Sequence, residues 1–272
     1  MATKSTSLSP DLTAALEAIV SAPGTGPVLV ASDFDGVLAP LIDDPLKSRI
    51  TAPTAEVLRR LGSLGTQKVV VALLSGRDLQ TLESLTGDDL PFKKILIGSH
   101  GAEWSNSSLF ETSEKDFPGV LDASQSKLRH RLGHDLEVLA AKYDGAWIEH
   151  KPFGAALHTR LTPATQAEEA LTEAKEYAQK IGLKPLLGKN IFELSVIEAT
   201  KGSALLKLAE LLNVKSLVFL GDDITDETAF RVITAPDVSI KVGAGKTAAQ
   251  FKIPDLNFVV SVFTHVEDTL KS

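Results

Sequence analysis

Four stretches of the chain are apolar at consecutive positions rather than at every second one: Val28–Ala31, Val69–Leu74, Ile95–Ile97 and Leu217–Leu220. Short unbroken runs of this kind, bounded by Gly, Pro and Asp, predict strands buried on both faces. The segments between them are spaced differently. Leu12, Leu16, Ile19 and Val20 recur at helical intervals and stop at Ala22-Pro23-Gly24. Helices are predicted over about 53–64, capped by Thr51 or Thr54 and stopped by Gly65, and over about 78–86. Lys201-Gly202-Ser203 opens another, with Leu205, Leu206, Leu208 and Leu211 along it, and one more runs from Glu227 to about Thr234. Short strands are predicted at Val238–Val242 and Phe258–Val262, with Thr264 capping a final helix. Strands alternating with helices, each strand ending in polar residues, predict an α/β fold on a doubly wound parallel sheet.

The middle third breaks this rhythm. Residues from about Trp104 to Phe117 are polar and loop-like, and Ser124 to Tyr143 carry an amphipathic helical pattern. Strands at Ala146–Lys151 and Ala155–Arg160 are joined by Pro152-Phe153-Gly154. A helix from Pro163 to Ile181 leads to strands near Lys184–Leu187 and Asn190–Val196, joined by Gly188-Lys189. A helix followed by two strands, twice over, predicts a compact α+β domain inserted into the sheet domain. The expected boundaries are 27–103 and 197–272 for the sheet domain and 104–196 for the insertion.

Composition narrows the chemistry. The chain has 272 residues and no cysteine, which excludes disulfides, thiolate metal sites and cysteine nucleophiles. A net charge of −7 argues against nucleic-acid binding, which needs a basic face. No apolar run reaches membrane-spanning length, so a soluble cytoplasmic protein, expected to be a monomer, is the default.

The polar residues at the strand ends are the informative ones. The first strand delivers Asp33 and Asp35 at its C-terminal end, where open parallel sheets place their ligands, and Gly36 permits a close backbone approach to a bound group. Paired acids there suit a nucleophile and a proton shuttle. Ser75-Gly76 offers a hydroxyl and an N–H to a phosphate oxygen, and Lys201 offers a point charge at a helix N-terminus. Asp222, Asp223 and Asp226 complete an acidic set suited to a hard, oxygen-loving cation, hence Mg²⁺. Taken singly, each has a plainer explanation: a turn, a solvated lysine, a helix cap. Their coincidence at one sheet edge is what favours a site. His100 divides evenly between ligand contact and structural hydrogen bonding. Gly243-Ala244-Gly245-Lys246-Thr247 is rejected as a nucleotide loop, because the motif's first glycine would fall on Ile240. His130 and His134 read as a solvated helix face.

Asp33-Phe34-Asp35-Gly36-Val37-Leu38, Ser75-Gly76-Arg77, Lys201-Gly202 and Gly221-Asp222-Asp223-Ile224-Thr225-Asp226-Glu227 together resemble the four motifs of the haloacid-dehalogenase-like phosphatases. Ser99-His100-Gly101-Ala102-Glu103, Glu149-x-Lys151, His158-x-Arg160 and Gly188-Lys189 with Glu193 are similar to signatures of the trehalose-6-phosphate phosphatase family. Where that family often has Arg-Pro after the glutamate, this chain has Ser195-Val196.

The resemblance implies that Asp33 attacks phosphorus and that Asp35 serves as acid and then base. It implies that Ser75 and Lys201 hold the phosphoryl oxygens. Asp33, the Asp35 carbonyl and Asp222 would bind Mg²⁺, supported by Asp223 and Asp226. Gly36, Gly76, Arg77 and His100 would meet substrate from the core. The insertion would act as a cap, with Glu149, Lys151, His158, Lys189 and Glu193 facing trehalose 6-phosphate. The competing readings are a phosphatase for another sugar, such as sucrose 6-phosphate or a hexose phosphate, a phospho-signalling receiver domain, and a silent regulatory subunit.

Overall fold

The structure is a computed structural model that describes residues 7–42, 44–105, 121–188 and 190–272. Contacts divide the chain into two compact units, Met1–Ser113 with Ala199–Ser272, and Glu114–Glu198.

The first unit is built on a seven-stranded sheet in the order β11-β10-β9-β1-β2-β3-β4. Its strands are β1 (Val28–Ser32), β2 (Val69–Leu74), β3 (Ile95–Gly98), β4 (Glu103–Trp104), β9 (Ser216–Gly221), β10 (Val238–Val242) and β11 (Phe251–Ile253). All pairings are parallel except that of β4 with β3. Because successive side chains point to opposite faces, the continuous apolar runs feed two cores. Val28, Val30, Val71, Val218 and Ile240 lie in one cluster with α1 (Pro10–Val20), α2 (Ala52–Ser63), α3 (Leu79–Thr86) and α8 (Leu256–Lys271). Leu29, Ala31, Val70, Leu217 and Phe219 lie in the other with α6 (Lys201–Leu211) and α7 (Glu227–Phe230). The sheet is thus doubly wound, as its sequence predicts. From β1 the chain first builds outward through β2 and β3, then returns on the other side of β1 to lay down β9, β10 and β11. The strand order reverses between β1 and β9, and their C-terminal ends are neighbours.

The second unit contains α4 (Ala123–Ala140), β5 (Trp147–Lys151), β6 (Gly154–His158), α5 (Ala164–Ile181), β7 (Leu186–Gly188) and β8 (Ile191–Ser195). Its strands form an antiparallel sheet in the order β5-β6-β8-β7. Ala155, Leu157, Phe192 and Leu194 pack with Leu132, Leu136 and Leu139 of α4 and Ala170, Ala174 and Ala178 of α5.

Four local expectations are corrected. Residues 258–262 are helical, within α8, and the last strand is Phe251–Ile253. The β-branched run looked like a strand, yet the buried positions Val259, Val262, Phe263 and Val266 have helical spacing. Asp255 caps α8 by accepting from the Asn257 N–H, so Thr264 is interior to the helix and caps nothing. The helix expected to reach about Thr234 is regular only over Glu227–Phe230. Looser helical bonding continues to the Ile233 N–H, 3.2 Å from the Ala229 carbonyl, before Pro236. Glu103–Trp104, whose second residue opens the stretch expected to be loop, forms β4; of that stretch, residues 106–117 lie outside the described residues.

Candidate active site

Asp33 follows the last residue of β1, and its N–H donates to the Leu220 carbonyl of β9 at 2.8 Å, tying the two strand ends together. Its side chain is almost wholly buried. Oδ1 accepts the Phe34 N–H at 2.6 Å, and Oδ2 lies 2.6 Å from Nζ of Lys201. Lys201 is the first residue of α6, placed there by the Thr200 cap, and its side chain is 1% exposed. The same nitrogen donates to Oδ1 of Asp226 at 2.8 Å. Asp226 Oδ2 accepts the N–H groups of Asp222 and Asp223, each at 2.9 Å. Asp226 therefore spends both oxygens on organising the loop after β9 and fixing Lys201.

These contacts set the charge balance. Burial raises the Asp33 carboxyl well above its ordinary value, opposed by Lys201 and reinforced by Asp226 and Asp222. Burial would lower Lys201, but Asp33 and Asp226 outweigh it and hold the ammonium charged. Asp222 is raised to about 6, by burial first and by the negative charge of Asp226 second. Carboxylates of Asp33, Asp222 and Asp226 each offer an oxygen within 4.8 Å of the others. Gly36 makes room for this: its φ is +76°, and a Cβ there would come within 2.0 Å of Asp222 Oδ2. Crowded, desolvated oxygen donors that would be relieved by positive charge fit a divalent cation.

Asp35 and Asp223 do not join that cluster. The Asp35 carboxylate is gripped by both arms of Arg77, Nε to Oδ2 at 2.6 Å and Nη2 to Oδ1 at 2.7 Å. The guanidinium also lies over the Phe34 ring, 5.5 Å from its centroid. Asp223 is exposed and accepts the Ile224 N–H at 2.6 Å.

Ser75 follows β2, and its Oγ accepts the Arg77 N–H at 3.2 Å. Beside it, Ser99 and His100 both have left-handed backbone, φ +47° and +57°, costly in non-glycine residues. The turn is held by the His100 N–H on the Ser75 carbonyl at 2.9 Å and by Ser99 Oγ on Glu103 Oε2 at 2.5 Å. The His100 imidazole lies so close to Gly76 that a Cβ there would be 2.5 Å from Cε1.

In the second unit, His158 Nε2 and Glu149 Oε2 are 2.8 Å apart, and Lys151 Nζ donates to Glu193 Oε2 at 2.5 Å. Lys189 lies outside the described residues. Two residues were missed from sequence. Lys241 sits in β10 with its ammonium on the Asp222 carbonyl, and Trp147 stacks on His158. A lone charge within the short strand Val238–Val242 was the available signal for the first.

A doubly wound sheet with these acids at its reversal point, interrupted by a small antiparallel-sheet unit, defines the haloacid-dehalogenase-like fold with a cap domain. Solved structures agree on the fold. The C-terminal domain of a C. albicans trehalose-6-phosphate phosphatase superposes with a TM-score of 0.70 at 20% identity, covering 95% of this chain and 96% of that one. A trehalose-6-phosphate phosphatase related protein gives 0.65 at 24% identity, covering 88% and 97%. The chain belongs to the trehalose-phosphatase family, whose model matches residues 31–255. Among curated relatives, a trehalose-phosphate phosphatase of Mycobacterium marinum is 33% identical over 236 residues, 81% of this chain. One from Mycobacterium leprae is 29% identical over 260 residues, 85% of this chain. The chain spans a little over half the length of these relatives, 56% and 55%.

Proposed function

We propose that this protein is a Mg²⁺-dependent phosphomonoesterase that hydrolyses trehalose 6-phosphate to trehalose and phosphate. The observation that carries the chemistry is the buried Lys201 ammonium bridging Asp33 and Asp226 beside Asp222. Asp33 is the nucleophile, forming an aspartyl-phosphate and so splitting a very slow hydrolysis into two steps. An ammonium has three N–H donors, and two of those on Lys201 are engaged, which leaves the third for a phosphoryl oxygen. Ser75 Oγ accepts from Arg77, so its own O–H remains to donate to phosphate. Asp35 protonates the departing sugar oxygen and later takes a proton from the hydrolytic water, with Arg77 orienting its carboxylate. This role for Arg77 replaces direct substrate contact.

Asp33 and Asp222 would hold the cation, together with the Asp35 carbonyl, while Asp226 supports them through the loop N–H groups. When bound, the cation supplies charge neutralisation for the nucleophile and the phosphoryl oxygens. The inserted unit supplies sugar recognition through Glu149, Lys151, His158, Lys189 and Glu193. A cytoplasmic monomer acting on a small molecule completes the reading. Among the described residues, no helix is long and apolar enough to cross a membrane.

The test is phosphate release from trehalose 6-phosphate, sucrose 6-phosphate, glucose 6-phosphate and p-nitrophenyl phosphate, after EDTA treatment and again with added Mg²⁺. Trehalose 6-phosphate should have the highest kcat/KM, and turnover should vanish with EDTA and return with Mg²⁺. Preference for another sugar phosphate would overturn the substrate, and full activity after exhaustive chelation would overturn the metal.

A further inference from the structure

Backbone pairing in the cap sheet puts Trp147 opposite His158, and Glu149 in register with Glu193 through Ala156, on one face. Lys151 lies two residues beyond Glu149 on that face. The helices cover the other face, where Ala155, Leu157, Phe192 and Leu194 pack, whereas this one carries Glu149, Lys151, His158 and Glu193. Trp147 does not belong there for packing reasons. An indole can bury roughly 150–250 Å² of surface, and core positions are where that area stabilises a fold. Trp147 instead remains 46% exposed, the one aromatic among the large exposed apolar side chains of the described residues.

Its setting is rigid. The indole and the His158 imidazole are stacked with centroids 3.8 Å apart and planes 1° from parallel. His158 is itself tethered to Glu149. With one ring face against the imidazole, the exposed area of the indole is its other face and rim. A flat apolar plate beside two carboxylates and an ammonium matches the two sides of a pyranose. Its C–H face packs on an aromatic plane, and its hydroxyls seek charged hydrogen-bonding groups. A plate already held in place loses little conformational entropy when a ring settles on it.

We propose that Trp147 is a specificity-determining residue, the platform on which a pyranose ring of the substrate stacks. The assignment rests on the sugar-phosphate reading above and adds to it a residue outside the motifs that carried that reading. The His158 ring backs the platform, and Glu149 fixes that ring. Lys151 and Glu193, paired to each other, engage the hydroxyls.

The experiment compares the full chain with Trp147→Ala and Trp147→Phe on trehalose 6-phosphate and p-nitrophenyl phosphate, with melting temperatures for each. Trp147→Ala should raise KM for trehalose 6-phosphate about tenfold, as expected for a lost apolar contact, with a smaller change in kcat. Trp147→Phe should recover most of the loss, and the sugarless ester should be turned over as before. Independently, trehalose titrated into the wild type should change tryptophan emission, and that change should be absent in Trp147→Phe. Parallel loss on both esters with a lowered melting temperature would overturn the proposal, making Trp147 a structural prop. Unaltered KM in Trp147→Ala would overturn it too. A wild type that releases no phosphate from trehalose 6-phosphate would instead sink the parent reading. The emission titration then decides alone, and emission unmoved by trehalose or any other sugar tried would remove Trp147 as a platform.

Discussion

At the scale of single residues, the site works by dividing labour among carboxylates that look alike in sequence. Asp33 and Asp226 share one ammonium, but Asp226 also accepts two backbone N–H groups of the loop after β9, whereas Asp33 accepts only that of Phe34. Asp35, two residues from the proposed nucleophile, is held by a bidentate guanidinium, a geometry that would fix the direction in which the proposed proton is given. General acid catalysis of this kind contributes roughly 10²–10⁴-fold, and it matters most when the leaving group is a poor one. Asp35→Asn should therefore cut turnover of trehalose 6-phosphate by about that factor, and p-nitrophenyl phosphate, whose phenolate departs unaided, much less. Arg77→Ala should give the same leaving-group pattern at smaller amplitude. Steady-state rates on the two esters check both, and equal losses on each would leave the proton-transfer role of Asp35 unsupported.

At the scale of elements, two contacts differ in what they hold: one assembles the site and the other ties α2 to α8. The first is the β1–β9 pairing, which carries the opening acids and the Asp222 loop to one edge. The second is remote from it. Glu267 on α8 is buried and accepts from Arg60 Nε on α2 at 2.8 Å and from Lys271 one turn on. Burial would raise its carboxyl, but the hydrogen bonds of Lys271 and Arg60 outweigh that and hold it below the ordinary glutamate value of 4.5. A carboxyl depressed in the folded state stabilises above its unfolded value, and that stability fades as pH falls through the folded one. Glu267→Gln should cost about 1–3 kcal/mol near neutral pH, as expected for lost charge-assisted hydrogen bonds. The gap in melting temperature between the two proteins should close as pH drops below 4.5. A gap that stays constant down to strongly acid pH would show that the charge of Glu267 contributes nothing.

At the scale of the molecule, the proposed chemistry and the proposed selection rest on separate apolar clusters. The strand-end acids are carried by a sheet with an apolar cluster on each face, while the cap sheet has its own cluster, centred on Phe192 and Leu194. On the proposed function, phosphate and metal contacts would be common to all phosphate esters, so choice among sugars would fall to the inserted unit. Truncating a buried phenylalanine costs about 3–5 kcal/mol, through lost burial and the cavity left behind. Phe192→Ala should accordingly depress turnover of trehalose 6-phosphate while sparing p-nitrophenyl phosphate. Faster amide hydrogen exchange should be confined to the cap unit. Exchange that rises equally in the sheet domain would mean that the two cores melt as one.

Local patterning along the chain predicts the alternation of buried strands and helices, an inserted α+β unit, and the sheet edge at which the candidate site residues gather. These features depend on local periodicity and on residues that directly follow strands, so neighbours along the chain suffice to reveal them. The run Phe258–Val262 misled because β-branched side chains suit a strand, and only packing against α1 and α2 shows that helical spacing governs it. What the tertiary structure alone decided was which charges meet. Arg77 finds Asp35 across 42 residues, Lys201 finds Asp226 across 25, and Lys241 reaches the Asp222 carbonyl from a neighbouring strand. Lys151 meets Glu193 across 42. Hydrogen bonds have ångström-scale reach, and pairings over such separations follow from strand order and register, which no local pattern contains.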